Sequence, residues 1–291
     1  SSLNVCYFNA RSVCNKLNEL NDLLNGVYLQ SSYDIICVTE TWLNSDVNNA
    51  EICGASPYNV VRKDRKSKGG GVAIFVKSSF RFNEVLVPDK YGDVEVCAVD
   101  LITDDRRKIR YICVYRPPNS RNYLTLHMCD CLTSLCSVTY DVCVTGDLNC
   151  DGINWEIELG VGNTVIGLFK QWSMTCSLNQ LCNSPSRGSK LLDYIFATAG
   201  MEISNVTYRG PFSTSDHSII DFKCNVSHDS DRQLNSLLFD FKSADYNGLN
   251  EYLSNIQWDV LFDTCATVND MWLNFLSVVN YSIVSFVPKL N

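Results

Sequence analysis

The stretch Val144-Thr145-Gly146-Asp147-Leu148-Asn149 sets a carboxylate and a primary amide two residues apart, just after the apolar run Asp141–Val144. That run reads as a short buried strand. In extended chain, residues i and i+2 face the same way, so Asp147 and Asn149 stand together at the strand's carboxyl end. Such ends are common ligand sites in open sheets. They are also common turns, so the pair gains weight only from its company. Polar residues stop other strands too: Asn9 after Leu3–Phe8, Glu40 after Asp34–Val38, and Tyr115 at the end of Ile109–Tyr115. Asp193 lies in Leu191–Phe196, and Ser215-Asp216-His217 precedes Ser218–Phe222.

One Glu, three Asp, two Asn, one Tyr and one His in this order suit phosphodiester hydrolysis. That reaction needs a hard cation, for which carboxylate oxygens are the preferred ligands. It needs water activated by a carboxylate or a His–Asp pair. It also needs amide or hydroxyl donors for the nonbridging oxygens. Of the three histidines, His127 falls in a predicted helix and His228 in a linker, which leaves His217 for catalysis.

The elements that must position these groups follow from periodicity. Leu17, Leu20, Leu24 and Val27 predict a helix over 15–29. Tyr58–Val61 and Val72–Val76 read as a hairpin-like pair joined by a flexible turn that carries the basic run 62–68 and Gly69-Gly70-Gly71. The triplet lacks the following Lys-Ser/Thr helix of a phosphate-binding loop. Val94–Leu101 and Ile109–Tyr115 form a second hairpin about Thr103–Lys108, ended by Pro117-Pro118. Leu124, Met128, Leu132 and Leu135 mark a second helix and Val165–Trp172 a third. Ile203–Tyr208 and Ser218–Val226 are the last strands. About ten strands and three helices imply a mixed α/β domain, two face-to-face sheets each covered by helices. Beyond residue 226, Ser243–Leu253 and Val268–Val287 read as helices, the latter with an apolar stripe that needs a partner surface.

Composition narrows the class. Of 291 residues, 46% are hydrophobic and 19% charged, a globular balance. No apolar run reaches the ~18 residues of a membrane span. The chain begins at Ser1 with no signal peptide, as a piece of a longer protein would. The fifteen cysteines lie mostly in apolar runs as core residues. Cys129-Asp130-Cys131 with Cys136 lacks a paired ligand set, so free thiols are expected rather than zinc. The net charge of −8 is not that of a general nucleic-acid binder. It is uneven: residues 1–226 carry 21 basic against 24 acidic side chains, and 227–291 carry 3 against 8. Arg62, Lys63, Arg65, Lys66 and Lys68 concentrate five cations in seven residues, a run able to meet phosphates.

The order Asn9 … Thr39-Glu40-Thr41-Trp42-Leu43 … Tyr115-Arg116-Pro117-Pro118 … Gly146-Asp147-Leu148-Asn149 … Leu192-Asp193-Tyr194 … Ser215-Asp216-His217 resembles the endonuclease/exonuclease/phosphatase superfamily. With Gly69-Gly70-Gly71-Val72-Ala73-Ile74-Phe75-Val76, it more narrowly resembles the apurinic-type endonuclease domain of LINE-type, jockey-like or chicken-repeat-like, non-LTR retrotransposons. The resemblance covers about residues 3–226. It implies a four-layer α/β/β/α sandwich over 1–226, with 227–291 a helical linker toward a reverse transcriptase not contained in this chain.

The same resemblance implies roles. Glu40, with Asn9, would bind Mg²⁺ or, in its place, Mn²⁺. Asp147 would position or deprotonate the water, and Asn149 would fix water and phosphate. His217, oriented by Asp193, would stabilise the transition state or act as base. Asp216 would aid protonation or bind a second cation, and Tyr115 would contact the scissile phosphate. Whether Asp147 or the His217–Asp193 pair is the base stays open at this point. Arg11 and Pro118 replace an acidic residue and an asparagine of apurinic repair enzymes, which argues against abasic-site repair. The implied activity is nicking of double-stranded DNA to leave a 3′-hydroxyl primer, in the nucleus after cytoplasmic synthesis. The partners would be the reverse transcriptase of the same polyprotein and, indirectly, element RNA, with no membrane. The basic run, Arg116 and Arg187 would meet the DNA. A phosphomonoesterase and a catalytically silent binding module are the alternatives.

Overall fold

The computed structural model describes residues 2–103, 106–155, 164–225, 240, 243–263, 265 and 267–288. Expectations for Val226, His228 and the centre of the Thr103–Lys108 turn fall outside these residues. The first half runs β1 (Ser2–Asn9), α1 (Leu17–Leu24), β2 (Ile35–Thr39), α2 (Asn49–Cys53), β3 (Tyr58–Lys63) and β4 (Val72–Lys77). Next come β5 (Arg81–Glu84), β6 (Glu95–Ile102), β7 (Lys108–Tyr115), α3 (Asn122–Cys136) and β8 (Asp141–Asp147). Then follow α4 (Val165–Thr175), β9 (Leu178–Gln180), β10 (Asp193–Thr198), β11 (Glu202–Pro211) and β12 (Ser218–Asn225). The C-terminal helices are α5 (Tyr246–Asn255), α6 (Trp258–Asp263) and α7 (Val268–Phe286), and α7 packs against both α5 and α6.

The strands form two mixed six-stranded sheets, ordered β11-β12-β1-β2-β4-β3 and β5-β6-β7-β8-β10-β9. The parallel pairs are β1–β2 and β7–β8, and the remaining pairs are antiparallel. Strands covered on both faces read as continuous apolar runs rather than alternating ones, which is why all five residues of β2 are buried. Val5, Tyr7, Ile35, Cys37 and Ile74 of one sheet meet Val99, Tyr111, Cys113, Cys143 and Ile195 of the other. Outside the first sheet, Leu20, Leu23 and Leu24 of α1 cover Phe8, Ile36 and Val38. Outside the second, Met128, Leu132, Phe169 and Trp172 of α3 and α4 cover Ile112, Val142 and Val144. The result is the expected α/β/β/α sandwich, with further helices at its C-terminal side.

Local departures have local causes. The helix expected to reach residue 29 stops at Leu24, where Gly26 turns at φ 75°. Val27, placed on its apolar stripe by periodicity, is therefore 63% exposed. β5 and β9, which apolar periodicity did not reveal, are short edge strands with mixed or polar sequences. All fifteen cysteines are free thiols, most of them buried as core residues.

Candidate active site

The polar strand ends converge where the two sheets face each other. β1 and β2 run parallel with Asn9 opposite Thr39, so Asn9 and Glu40 emerge side by side. On the other sheet β7 and β8 are parallel with Tyr115 opposite Asp147. Antiparallel β10 then sets Asp193 directly across from Asp147. The close β7–β8 approach depends on Gly146, where a Cβ would lie 2.0 Å from the Val114 carbonyl oxygen.

Hydrogen bonds within and between the sheets join these groups into two adjoining networks, which meet where Asp193 lies opposite Asp147. Asn9 Nδ2 donates to Glu40 Oε1 at 3.0 Å and to Asp147 Oδ2 at 2.9 Å. The Tyr115 hydroxyl donates to Glu40 Oε1 at 3.2 Å, and Trp42 Nε1 donates to Glu40 Oε2 at 3.2 Å. His217 Nδ1 donates to Asp193 Oδ2 at 2.7 Å. The other Asp193 oxygen accepts the Tyr7 hydroxyl at 2.6 Å. This arrangement fixes the His217 tautomer and leaves Nε2 as the atom free for chemistry. Ser215 Oγ anchors the preceding loop on the Asn9 carbonyl at 2.6 Å.

Electrostatics follow from burial. Asp147 and Asp193 are both 0% exposed, and directly opposed like charges are unfavourable. Desolvation, then the Asp193 charge, push the Asp147 carboxyl well above its ordinary range. Burial alone would lower His217, but the hydrogen bond and charge of Asp193 raise it above an ordinary imidazole. Burial, then Glu40, raise the Tyr115 hydroxyl, keeping it a donor. At Asp216, desolvation is outweighed by Arg187 at 2.7 Å and Arg11 at 3.0 Å, which hold the carboxyl below the usual range. Two guanidiniums already balance Asp216, so it has little call for a second cation.

Backbone strain gathers here as well. Arg11, Glu40, Trp42 and Asn149 have φ of 43°, 50°, 56° and 45°. Left-handed backbone at a non-glycine residue costs on the order of 1–3 kcal/mol and persists where the surroundings over-determine it. It puts Asn149 N–H on Asp147 Oδ1 at 2.8 Å and Asn149 Nδ2 on the Arg116 carbonyl at 2.8 Å.

Two groupings fit a cation. Ligand atoms of Asp147, Asp193 and His217 lie within 4.8 Å of one another, and a positive charge would relieve the buried acid pair. Every carboxylate oxygen of that trio already accepts a hydrogen bond, however. Glu40 is the partly exposed carboxylate of the network. Mg²⁺ keeps several of its waters, which favours the Glu40 side.

The cations expected at DNA are placed differently from one another. Arg187 is exposed at the rim beside Asp216, and Lys66 and Lys68 are exposed. Lys63 is half-buried, and Arg62 Nη2 donates to the Val47 carbonyl at 2.6 Å. Arg116 is 4% exposed and bonds Thr125, Ser120 and the Leu148 and Asn149 carbonyls, so it binds loops together. The Gly69–Gly71 turn, expected to be flexible, is pinned: Gly70 and Gly71 carbonyls accept the Trp42 and Thr41 N–H groups. Sequence reasoning missed Tyr7, Trp42 and Ser215 as support. Tyr7, mid-strand in an apolar run, carried no signal, whereas Ser215 is adjacent to Asp216-His217.

Comparison with known proteins agrees with this geometry. The Endonuclease/Exonuclease/phosphatase family model matches residues 1–217. Among solved structures, the endonuclease domain of TRAS1, a telomere-specific non-LTR retrotransposon, is 14% identical, TM-score 0.58, covering 77% of this chain and 99% of that one. The AP endonuclease LMAP of Leishmania major is 15% identical, TM-score 0.61, covering 78% and 88%. The 3′ phosphatase NExo from Neisseria, bound to product DNA hairpin, is 14% identical, TM-score 0.60, covering 77% and 99%. No curated protein matches at a significant level. At such identities the structural likeness is one of fold, and it is the family match over three quarters of the sequence that shows the chain to belong to the endonuclease/exonuclease/phosphatase family.

Proposed function

We propose that the protein is a metal-dependent DNA endonuclease that nicks one strand of duplex DNA and leaves a 3′-hydroxyl. The observation that carries this is a pair of hydrogen-bonded sets spanning the two sheets, Tyr115–Glu40–Asn9–Asp147 and His217–Asp193, brought together where Asp193 lies opposite Asp147. A divalent cation, Mg²⁺ or Mn²⁺, held on the Glu40 and Asn9 side, would supply charge neutralisation at the phosphate. The chain's own groups do the rest. Asp147, made more basic by burial and Asp193, takes a proton from the attacking water. His217, its proton affinity raised by Asp193, donates from Nε2 to a nonbridging oxygen. Tyr115 donates to the same phosphate. Water forms the new P–O bond and leaves its proton on Asp147, the P–O3′ bond breaks, and O3′ is protonated by solvent, to which Asp147 returns its proton for the next turnover. Exposed Arg187, Lys66 and Lys68 track the backbone.

The resemblance to non-LTR elements and the TRAS1 likeness support a further step: the 3′-hydroxyl primes reverse transcription on element RNA. On that reading 227–291 links to the polymerase of the same polyprotein, and the protein works in the nucleus. The test is relaxation of supercoiled plasmid with Mg²⁺, with EDTA, and with Asp147→Ala and His217→Ala. Open circles extendable by a polymerase, formed only by wild type with metal, support the proposal. Undiminished nicking by either variant refutes the mechanism. The Neisseria 3′ phosphatase supports a second reading, a phosphomonoesterase. Phosphate release from a 3′-phosphorylated oligonucleotide without plasmid nicking would favour it, and metal-independent DNA binding with neither activity would point to a silent binding module.

A further inference from the structure

The fold sorts the five cations of 62–68, and Arg65 is set apart. Its Nε donates to Glu95 Oε1 at 2.9 Å and its Nη2 bonds the same oxygen. Glu95 is 8% exposed, and its Oε2 accepts the Gly71 N–H at 2.5 Å. The backbone between them has no room for a side chain. A Cβ on Gly70 would lie 2.2 Å from Glu95 Oε2 and 2.4 Å from Arg65 Cζ. The same turn docks on the chain after β2, with Trp42 N–H donating to the Gly70 carbonyl at 2.8 Å. Arg65 is thereby held with its guanidinium carbon 5.6 Å from the centroid of the Tyr115 ring. Glu95 and Tyr115 are cross-strand partners, and the Tyr115 hydroxyl reaches Glu40.

A planar guanidinium fixed through Nε and Nη2 is oriented as a fork rather than as a loose point charge. Among the described residues Nη1 has no hydrogen-bond partner, and the side chain remains 25% exposed. We propose that Arg65 binds a nonbridging oxygen of the phosphate that engages Tyr115, and that Glu95 is the positioning residue that aims it. This deepens the phosphodiester reading above and rests on it. The glycine triplet, on this account, carries the basic loop to the reacting phosphate, while Lys66 and Lys68 add only diffuse attraction.

The experiment compares wild type, Arg65→Ala, Arg65→Lys, Glu95→Gln and Lys66→Ala by nicking kinetics, with urea unfolding of each. Arg65→Ala should lose roughly a hundredfold in kcat, as removal of one transition-state donor does. Arg65→Lys should recover only part of it, and added guanidinium should restore part of the Arg65→Ala rate. Glu95→Gln should lower kcat without a matching change in KM. Lys66→Ala should act through KM and its salt dependence. A purely structural pair would move the unfolding midpoint and leave kcat and guanidinium rescue flat, which overturns the proposal. If wild type itself does not nick, the phosphodiester reading fails separately. Binding of a labelled duplex, followed by anisotropy, then decides: loss from Arg65→Ala no greater than from Lys66→Ala overturns the proposal.

Discussion

Gly146→Ala tests the geometry beneath the site most directly. The residue precedes Asp147 in β8 and pairs with Val114 of β7 in parallel register. An added Cβ would lie 2.0 Å from the Val114 carbonyl oxygen, 2.7 Å from its Cγ1 and 2.9 Å from its carbonyl carbon. A side chain could rotate away, but two of these atoms are backbone. Ordinary contact begins near 3.4 Å, so the strands must part by up to about 1.4 Å. Overpacking of this kind costs about 1–3 kcal/mol, or about 2–12 °C in Tm for a domain of this size. The effect on rate should be larger than the effect on stability. The β7–β8 pair presents Tyr115 and Asp147 as register partners, and a ~1 Å misplacement of a positioned group costs on the order of a hundredfold. Calorimetry with plasmid relaxation reads both quantities. Gly210→Ala is the control, because a Cβ there meets nothing within 4 Å. A Gly146→Ala protein with wild-type Tm and nicking within about twofold would refute the strand spacing and register from which the site is built.

Three further outcomes are expected. Tyr7→Phe leaves a buried Asp193 oxygen without its donor, so it should cost about 1–3 kcal/mol in urea unfolding and also slow nicking; unchanged unfolding and rate would remove Tyr7 from the support of His217. At Asp100, burial opposes ionisation, yet the bidentate Arg110 pair and the Tyr140 hydroxyl hold the carboxyl below its ordinary range. A depressed folded-state pKa gives stability that is present above the unfolded pKa of about 3.9 and is lost as pH falls through the folded value. Asp100→Asn should therefore cost about 3–5 kcal/mol near neutrality, with the gap from wild type closing below about pH 4; a gap that does not narrow in acid would contradict the pairing. Arg116→Met should destabilise the fold and leave the salt slope of DNA binding unchanged, whereas Lys66→Ala should reduce that slope by about one; anisotropy against salt separates the two.

The sandwich was legible because strands buried on both faces leave unbroken apolar runs, as in Ile35–Val38 and Tyr111–Val114. The residues at strand ends were legible because a polar group that interrupts such a run is conspicuous. What was hidden depends on pairing. That Asp193 lies opposite Asp147 follows from β8–β10 register, which no local pattern encodes. Tyr7 looked like one more core aromatic until its hydroxyl met an acid from the other sheet. Arg65 and Arg62 sit three residues apart in one basic run, yet only the turn at Gly69–Gly71 decides which of them faces Tyr115.

The bonds Asn9–Asp147, Tyr7–Asp193, His217–Asp193 and Tyr115–Glu40 all run from one sheet to the other. Neither sheet by itself holds a working half. β5 to β10 are contiguous in the chain, and the first sheet closes only when β11 and β12 return to pair beside β1. Catalytic competence is therefore a gauge of sheet docking rather than of secondary structure. A folding intermediate with both hydrogen-bond ladders formed and water still between the layers would give a native-like far-ultraviolet spectrum and no turnover. During refolding, the return of activity should lag behind the return of strand signal, timing the moment at which the interior becomes dry.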